Sequence, residues 1–298
     1  MTRSRLFSKN SARAARNSLI LLTGALLIFG CSSSTKPSFS KQDIEQAIHD
    51  ICLKESKIDV KTKLIGSTFW LYLPIEGMLA KDDRPKKYTV RYVVEQLVVR
   101  LTERKLRVYY LIKTIKPKEV SQEFKYSKQA LDKMYAAMLA LRRVIFSLDN
   151  SREKEPQFYC MVTADIKDGF EIQEISYCLD LKKLTYGLIS STEYQHRTPQ
   201  SAKEDPGIIG DKDGNHILYK DITMADFIVA QIEHRIRMKF MKGEFDKGSD
   251  IDRKILKLAV YTIKAYEFKD FDEVELYNLA TNNKTTLNRA AIYATAAE

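Results

Sequence analysis

The chain has 298 residues, of which 44% are hydrophobic, and contains only 11 Gly and 7 Pro, which excludes a largely disordered protein. It carries 49 Lys and Arg against 39 Asp and Glu, a formal net charge of +10. Five of these basic residues and no acid lie within residues 1–18, and the 44 basic and 39 acidic side chains that follow leave a net charge of only +5. This excess is too small to indicate nucleic acid as a partner.

The first 30 residues predict a targeting segment. A basic, acid-free stretch precedes an apolar run over residues 19–30, which ends in Gly30 and is followed by Cys31 and three serines. This run of twelve residues is too short for a membrane-spanning helix, which needs about 20. A basic start, a short apolar core and a small residue at the end are typical of a secretory signal peptide.

The segment Leu27-Ile28-Phe29-Gly30-Cys31 resembles the lipobox of bacterial lipoproteins. The resemblance implies that residues 1–30 are removed and that Cys31 is acylated, so that a covalent lipid anchors the protein. An uncleaved signal anchor and a mitochondrial transit peptide remain alternatives. Ser32, where enteric lipoproteins retained at the inner membrane resemble one another in having Asp, favours the outer membrane facing the periplasm. Residues 31–39 form a polar tether whose extended length is about 30 Å.

Four helices are predicted beyond the tether. A hydroxyl at the N-cap and a carboxylate three residues later mark three starts, at Ser40, Thr223 and Ser249. Each start is followed by an apolar stripe with helical spacing. A fourth helix is predicted near residues 127–148, where the apolar residues at helical spacing are Ala130, Leu131, Met134, Met138, Leu141 and Val144.

Between these helices the apolar period falls to two, which predicts strands at residues 58–62 and 68–73. A hairpin is predicted from residues 158–164 and 170–179, with a three-residue loop closed by Gly169. Residues 88–115 fit either two strands or a helix, and their β-branched and aromatic content favours strands. The segment 274–277 and the Asn282-Asn283 turn predict a last hairpin.

The order of these elements predicts an α+β fold, with an antiparallel β-sheet covered by amphipathic helices and a helical C-terminal region ending in a short hairpin. A stretch rich in Pro and Gly over residues 197–221 places the expected boundary between a core region, 40–200, and a C-terminal region, 201–298. The C-terminal region is expected to pack on the core.

Three cysteines remain after Cys31, namely Cys52, Cys160 and Cys178. In the predicted hairpin, Cys160 and Cys178 share one face, about one residue pair apart. They are therefore either a disulfide or two buried free thiols, and the odd number of cysteines favours free thiols.

Common catalytic motifs are absent from the sequence, and the four histidines have no metal-ligand spacing. The segment 211–215, Asp-Lys-Asp-Gly-Asn, resembles the start of a calcium loop. However, an EF-hand needs Gly at the sixth position and Glu at the twelfth, where this chain has His216 and Ile222. A turn built on Gly214 is the favoured interpretation, and neither a metal nor a cofactor is expected.

Two groups of residues are candidates for binding. Arg235, Arg237, Lys239 and Lys242 end one predicted helix and are able to contact lipid headgroups or a partner, although the helix dipole alone accounts for cations there. Trp70 and Tyr72 share a face of one strand and form either a ligand wall or part of the core.

The sequence therefore favours an envelope lipoprotein that binds or scaffolds a protein partner without catalysis. The alternative is a lipid-tethered hydrolase or small-ligand carrier, with a site assembled around Asp180, Glu193 and His196. Charge is unevenly placed: residues 40–150 hold 22 basic and 14 acidic side chains. These cations are either solvated or in contact with anionic headgroups.

Overall fold

The structure is a computed structural model that describes residues 38–148, 155–241 and 250–294. The described residues from 39 onwards form one compact unit. The predicted leader, the predicted acylation site Cys31 and Lys242 lie outside the described residues. In the described ranges the helices are α1 (Ile44–Ser56), α2 (Lys128–Phe146), α3 (Cys178–Thr185), α4 (Ser191–His196), α5 (Met224–Met241), α6 (Ile251–Ala265) and α7 (Arg289–Ala294).

Nine strands accompany these helices in the described part of the chain. They are β1 (Lys61–Ile65), β2 (Thr68–Ile75), β3 (Leu79–Thr102), β4 (Lys105–Tyr126), β5 (Phe158–Asp165), β6 (Phe170–Tyr177), β7 (Gln200–Glu204), β8 (Glu273–Asn278) and β9 (Asn283–Asn288). They form a five-stranded sheet in the order β1-β2-β5-β6-β7 and a four-stranded sheet in the order β3-β4-β8-β9.

The predicted mixture of helices and sheet is confirmed, but the prediction of a purely antiparallel sheet is wrong. Strands β2 and β5 pair in parallel, and so do β4 and β8. Between β2 and β5 the chain passes through the β3–β4 hairpin and α2, a connection long enough to return the chain to the same end of the sheet. Apolar periodicity reports which residues of a strand are buried but carries no information on the direction of its neighbour.

The first sheet has a core on each face, which explains why its central strands are almost entirely apolar. All eight residues of β5 are buried, as are seven of the eight residues of β2. On one face Phe69, Leu71 and Leu73 pack with α1 and α2. Each fully buried side chain of this size contributes about 1.5–3 kcal/mol through loss of apolar surface from water.

The second sheet packs on α5 and α6. Ile228, Ile232, Ile236 and Phe240 recur every four residues on α5 and are fully buried. They meet Leu97, Val99, Leu106 and Val108 from the end of the β3–β4 hairpin where the chain turns. This core therefore combines residues from the first half of the chain with residues from its last quarter.

The helix starts follow the predicted capping chemistry with two shifts in position. Before α5, Thr223 Oγ1 accepts a hydrogen bond from Asp226 N, and the Asp226 carboxylate accepts one from Thr223 N. Ser127 caps α2 and confirms the helix predicted there. Before α1, however, Ser40 begins a turn and Asp43 occupies the N-cap position. Before α6, the N-cap is Asp250, whose side chain accepts from Arg253 N.

Residues 88–115 are confirmed as strands, and the hairpin they form is longer than predicted. Strands β3 and β4 pair from Leu79↔Tyr126 to Thr102↔Lys105. A two-residue turn joins them, in which Glu103 and Arg104 have φ values of 52° and 59°. Two consecutive left-handed residues are typical of a type I′ turn, whose twist suits paired strands. The Arg104 side chain donates hydrogen bonds to Asp270 and Asp272, which hold the turn in place.

The hairpin of β5 and β6 has a register one residue away from the predicted one. Asp165 pairs with Phe170, so the loop has four residues, 166–169, instead of three. A shift of one residue moves a side chain to the opposite face of the sheet. Cys160 therefore packs with Trp70, whereas Cys178 begins α3 and packs with Tyr159 in the other core. The predicted shared face is wrong, and both cysteines are buried free thiols in the structure.

The segment near residue 200, where a boundary was expected, belongs to the first sheet and to one of its cores. Strand β7 pairs with β6, and Ile209 and Ile222 pack on Trp70 and Tyr72 in the outer core of the first sheet. Within the described ranges, no helix combines the length and the apolar composition that crossing a membrane requires.

Glu275 on β8 links three strands of the second sheet. Its carboxylate lies 2.9 Å from Arg107 Nε on β4 and 2.6 Å from Lys284 Nζ on β9 and also accepts a hydrogen bond from Tyr277. Burial alone would raise the pKa of this carboxyl, but the hydrogen bonds from Lys284, Arg107 and Tyr277 outweigh burial and lower its pKa to about 2. The folded state therefore stabilises the anionic form of Glu275 relative to the unfolded chain.

We expect Glu275→Gln to lower the melting temperature at neutral pH. Because the folded pKa is depressed, this stabilisation is present above the unfolded pKa near 4.5 and is lost as the pH falls towards 2. The difference between wild type and variant should therefore shrink through that window, as measured by thermal denaturation at a series of pH values. Glu273→Gln, on the same strand but with a side chain 25% exposed, serves as the control and should have a smaller effect. A difference that does not change with pH would contradict this account.

Candidate functional site

Arg197 brings together two of the three residues named for the alternative of a hydrolase or small-ligand carrier. Its guanidinium lies 2.9 Å from the Asp180 carboxylate, in the first turn of α3, and 2.7 Å from that of Glu193, in the first turn of α4. The side chain of Asp180 is only 1% exposed, so its charge depends on these partners. The third residue, His196, meets α5 through its backbone carbonyl, which accepts a hydrogen bond from the Gln231 side chain.

Arg235 of α5 completes this ion cluster, together with two tyrosines at the C-terminal end of α6 and just beyond it. Arg235 lies 3.1 Å from the Glu193 carboxylate, which also accepts a hydrogen bond from the Tyr261 hydroxyl. The Tyr266 hydroxyl donates to Asp180 at 2.6 Å. Burial raises the pKa of Tyr266, and the neighbouring Asp180 raises it further, so the hydroxyl stays protonated and remains a donor.

The cluster keeps the Glu193 carboxylate charged. Burial would raise the pKa of Glu193, but hydrogen bonds and charge from Arg197 and Arg235 outweigh burial and lower it. A general acid or base near neutral pH needs a pKa close to 7, which is the opposite shift for a glutamate. This arrangement therefore favours a structural ion network over proton transfer.

Of the four cations predicted to contact headgroups or a partner, Arg235 is buried in this cluster, with 8% of its side chain exposed. It cannot serve as an exposed headgroup contact, because α6 and α4 pack beside α5 on the side where Arg235 lies. Arg237 is 44% exposed and binds Glu233 and the Leu97 carbonyl. Lys239 is partly buried, and Lys242 lies outside the described residues.

Trp70 and Tyr72 share a face, as predicted, and this face is part of the core. Trp70 is 2% exposed and donates to the Lys220 carbonyl, and Tyr72 is fully buried and donates to the Asp211 carbonyl. Both polar ends are therefore satisfied by the segment that covers the sheet. The structure supports the core alternative for this pair over a ligand wall.

The segment predicted as either a turn or a calcium loop is a turn. The Asp211 carboxylate accepts hydrogen bonds from the backbone N–H groups of Asp213 and Asn215, and Gly214 has a φ of 69°. A Cβ at Gly214 would approach the Tyr72 ring to 2.8 Å, so the position requires glycine. In the described part of the chain, no group of three His, Cys, Asp or Glu side chains is arranged to hold a metal ion.

Helix α2 carries an exposed apolar stripe that was not predicted from the sequence. Leu131, Tyr135 and Leu139 recur every four residues and are 48%, 64% and 42% exposed. They lie opposite the face that packs in the core through Ala137, Leu141 and other residues. Leu131 was expected in the core stripe, but a helix with apolar residues on both sides cannot bury both against one sheet. The four-residue spacing of Leu131, Tyr135 and Leu139 was the available signal.

Comparison of the chain with protein-family models, with curated proteins and with solved structures finds no match in any of the three. The functional argument therefore depends on the residues and surfaces described above.

Removal of Arg197 tests the structural role of the ion cluster. We expect Arg197→Met to destabilise the protein by about 3–5 kcal/mol, because Asp180 would remain buried with its charge uncompensated. Urea denaturation measures this change in the free energy of unfolding. Arg143→Met is the matched control, since the Arg143–Glu55 pair is more than half exposed on both sides and should contribute less than about 1 kcal/mol. Equal losses in the free energy of unfolding for the two variants would contradict the structural role of the ion cluster.

Proposed function

We propose that this protein is a bacterial envelope lipoprotein, anchored by acylation of Cys31 to the outer membrane and facing the periplasm. The lipobox-like segment and the basic, apolar leader support the proposal. Each buried acyl carbon contributes about 0.8 kcal/mol, so two or three acyl chains hold the protein on the membrane.

The body of the protein binds an envelope protein without catalysis. The observation that carries this part of the proposal is the α2 stripe, formed by Leu131, Tyr135 and Leu139. Exposed apolar side chains in a row are typical of an interaction surface, whereas single ones are not. Side chains at this spacing form the ridge of a helix that packs against another helix. The partner is therefore a protein that presents an apolar helix face.

A hydrolase or ligand carrier built around Asp180, Glu193 and His196 is less well supported. Both carboxylates are bound by arginines and tyrosines of the same chain. A surface depression of about 560 Å³ lies elsewhere and is lined by Lys269, Asp272, Asn288, Arg289, Ala290 and Tyr293.

We expect Cys31→Ala to abolish fatty-acid labelling and membrane retention, because the variant lacks the thiol that is acylated. The measurement is metabolic labelling with a radioactive fatty acid, followed by membrane fractionation, in a bacterium that processes lipoproteins. Cys52→Ala, which removes a buried thiol of α1, is the control and should retain the label. Labelling that persists in Cys31→Ala would refute the anchor.

We expect a photo-crosslinking amino acid at Tyr135 to give one discrete protein adduct in intact envelopes. Leu131→Asp combined with Leu139→Asp should abolish this adduct, because two buried charges at an apolar interface are costly. The control combines Ile208→Asp with Leu218→Asp, which changes side chains that are 50% and 83% exposed elsewhere. An adduct with lipid alone, or one insensitive to the α2 substitutions, would contradict the proposal.

A further inference from the structure

The middle of the β3–β4 hairpin is a two-stranded ribbon that packs on none of the three cores. Residues 81–89 of β3 and 118–125 of β4 are exposed or half-buried. Strand β8 pairs with β4 only at residues 105–110, so none of the other described strands lies beside the ribbon. A two-stranded ribbon without a core is only marginally stable. Its contribution to the protein is therefore sought in its exposed surface.

The pairing register separates the side chains of the ribbon into two faces. Lys81 pairs with Phe124, Tyr88 with Val120 and Val90 with Lys118. Paired residues point to the same side of a sheet, and so do residues two apart along one strand. One side, which we name the basic face, therefore contains Lys81, Lys86, Tyr88, Lys118, Val120 and Phe124.

The basic face combines unpaired cations with exposed aromatic rings. Tyr88 and Phe124 are 44% and 55% exposed. Among the described residues, Lys81, Lys86 and Lys118 form no ion pair, and the paired positions of this face carry no carboxylate. Lys86 contributes to lowering the pKa of Asp82, which is ion-paired with Lys125. Its charge is therefore available to a partner.

The opposite face differs in its charge balance. Its two lysines both have carboxylate partners: Lys87 lies 2.9 Å from Glu119, and Lys125 lies 2.7 Å from Asp82. The asymmetry shows that the positive charge of the ribbon is concentrated on one side.

The edges of the ribbon are poorly suited to an added strand from a protein. The register shifts between Lys81 and Lys86 and again between Val90 and Tyr92. Pro85 and Pro117 lie in these irregular segments and have no backbone N–H to donate. Bulges and prolines at an edge prevent pairing with another chain, so recognition must use a face.

We propose that the basic face docks on the anionic headgroups of a phospholipid bilayer. Lysines reach lipid phosphates, while aromatic rings such as Tyr88 and Phe124 insert at the level of the headgroups. The proposal rests on the proposed lipid anchor only for proximity: the tether, about 30 Å when extended, would hold the body close to the membrane. Docking would fix the orientation of the body, and with it of the α2 stripe, relative to the membrane surface.

The experiment is vesicle flotation with the full chain carrying Cys31→Ser, so that acylation plays no part. The chain with an unchanged ribbon should bind vesicles containing phosphatidylglycerol more tightly than vesicles of phosphatidylcholine alone. The basic leader is present in every variant, so the effect of the ribbon is read from the difference between variants. Lys81→Gln, Lys86→Gln and Lys118→Gln together should weaken binding to the anionic vesicles at least about tenfold, since each cation at an anionic surface contributes roughly fivefold. A salt concentration of about 1 M should also weaken binding of the unchanged ribbon to the anionic vesicles, because salt screens the charges.

The matched control removes three ion-paired lysines of the same hairpin through Lys87→Gln, Lys113→Gln and Lys125→Gln. It should bind within about twofold of wild type, and both triple variants should keep the wild-type melting temperature, because the changed side chains are exposed. Equal loss of binding in both variants, or no preference for anionic vesicles, would overturn the proposal. Because Cys31 is absent throughout, failure of the anchor and failure of the docking surface remain distinguishable.

Discussion

The pairing of β3 with β4 is the constraint on which the rest of the structure depends. The hairpin leaves the first sheet after β2 and returns to it before α2, so its two ends lie side by side at Leu79 and Tyr126. Its far end supplies two of the four strands of the second sheet. The hairpin therefore sets the position at which α5 and α6 can bury their apolar stripes, while α2, which follows it, returns the chain for the parallel pairing of β2 with β5.

The ion cluster around Arg197 connects the helices of the first sheet with those of the second. Asp180 and Glu193 belong to α3 and α4, whereas Arg235 belongs to α5. Desolvation of charges largely cancels their attraction, so a buried network of this kind adds little net stability when complete. Its directional hydrogen bonds instead restrict how these helices can meet, which apolar contacts alone do less well.

Local patterns of the sequence predicted local structure well. The helix capped by Ser127, the capping pair before α5 and the strands within residues 88–115 all depend on neighbouring residues and are confirmed. The direction of β5 beside β2 and the burial of Arg235 depend on residues far away in sequence, and so could not be predicted. The Cys160 and Cys178 error came from one residue of loop length, which alone reverses the face of a strand.

The long hairpin also has a consequence for the order of folding. Leu97, Val99, Leu106 and Val108 are synthesised more than 100 residues before Ile228 and the other α5 residues that cover them. Until those residues are present, the hairpin exposes an apolar surface that is prone to aggregation. Contacts between such distant residues also slow folding. The second core is therefore expected to form last, and a chain truncated before α5 would retain an uncovered sheet.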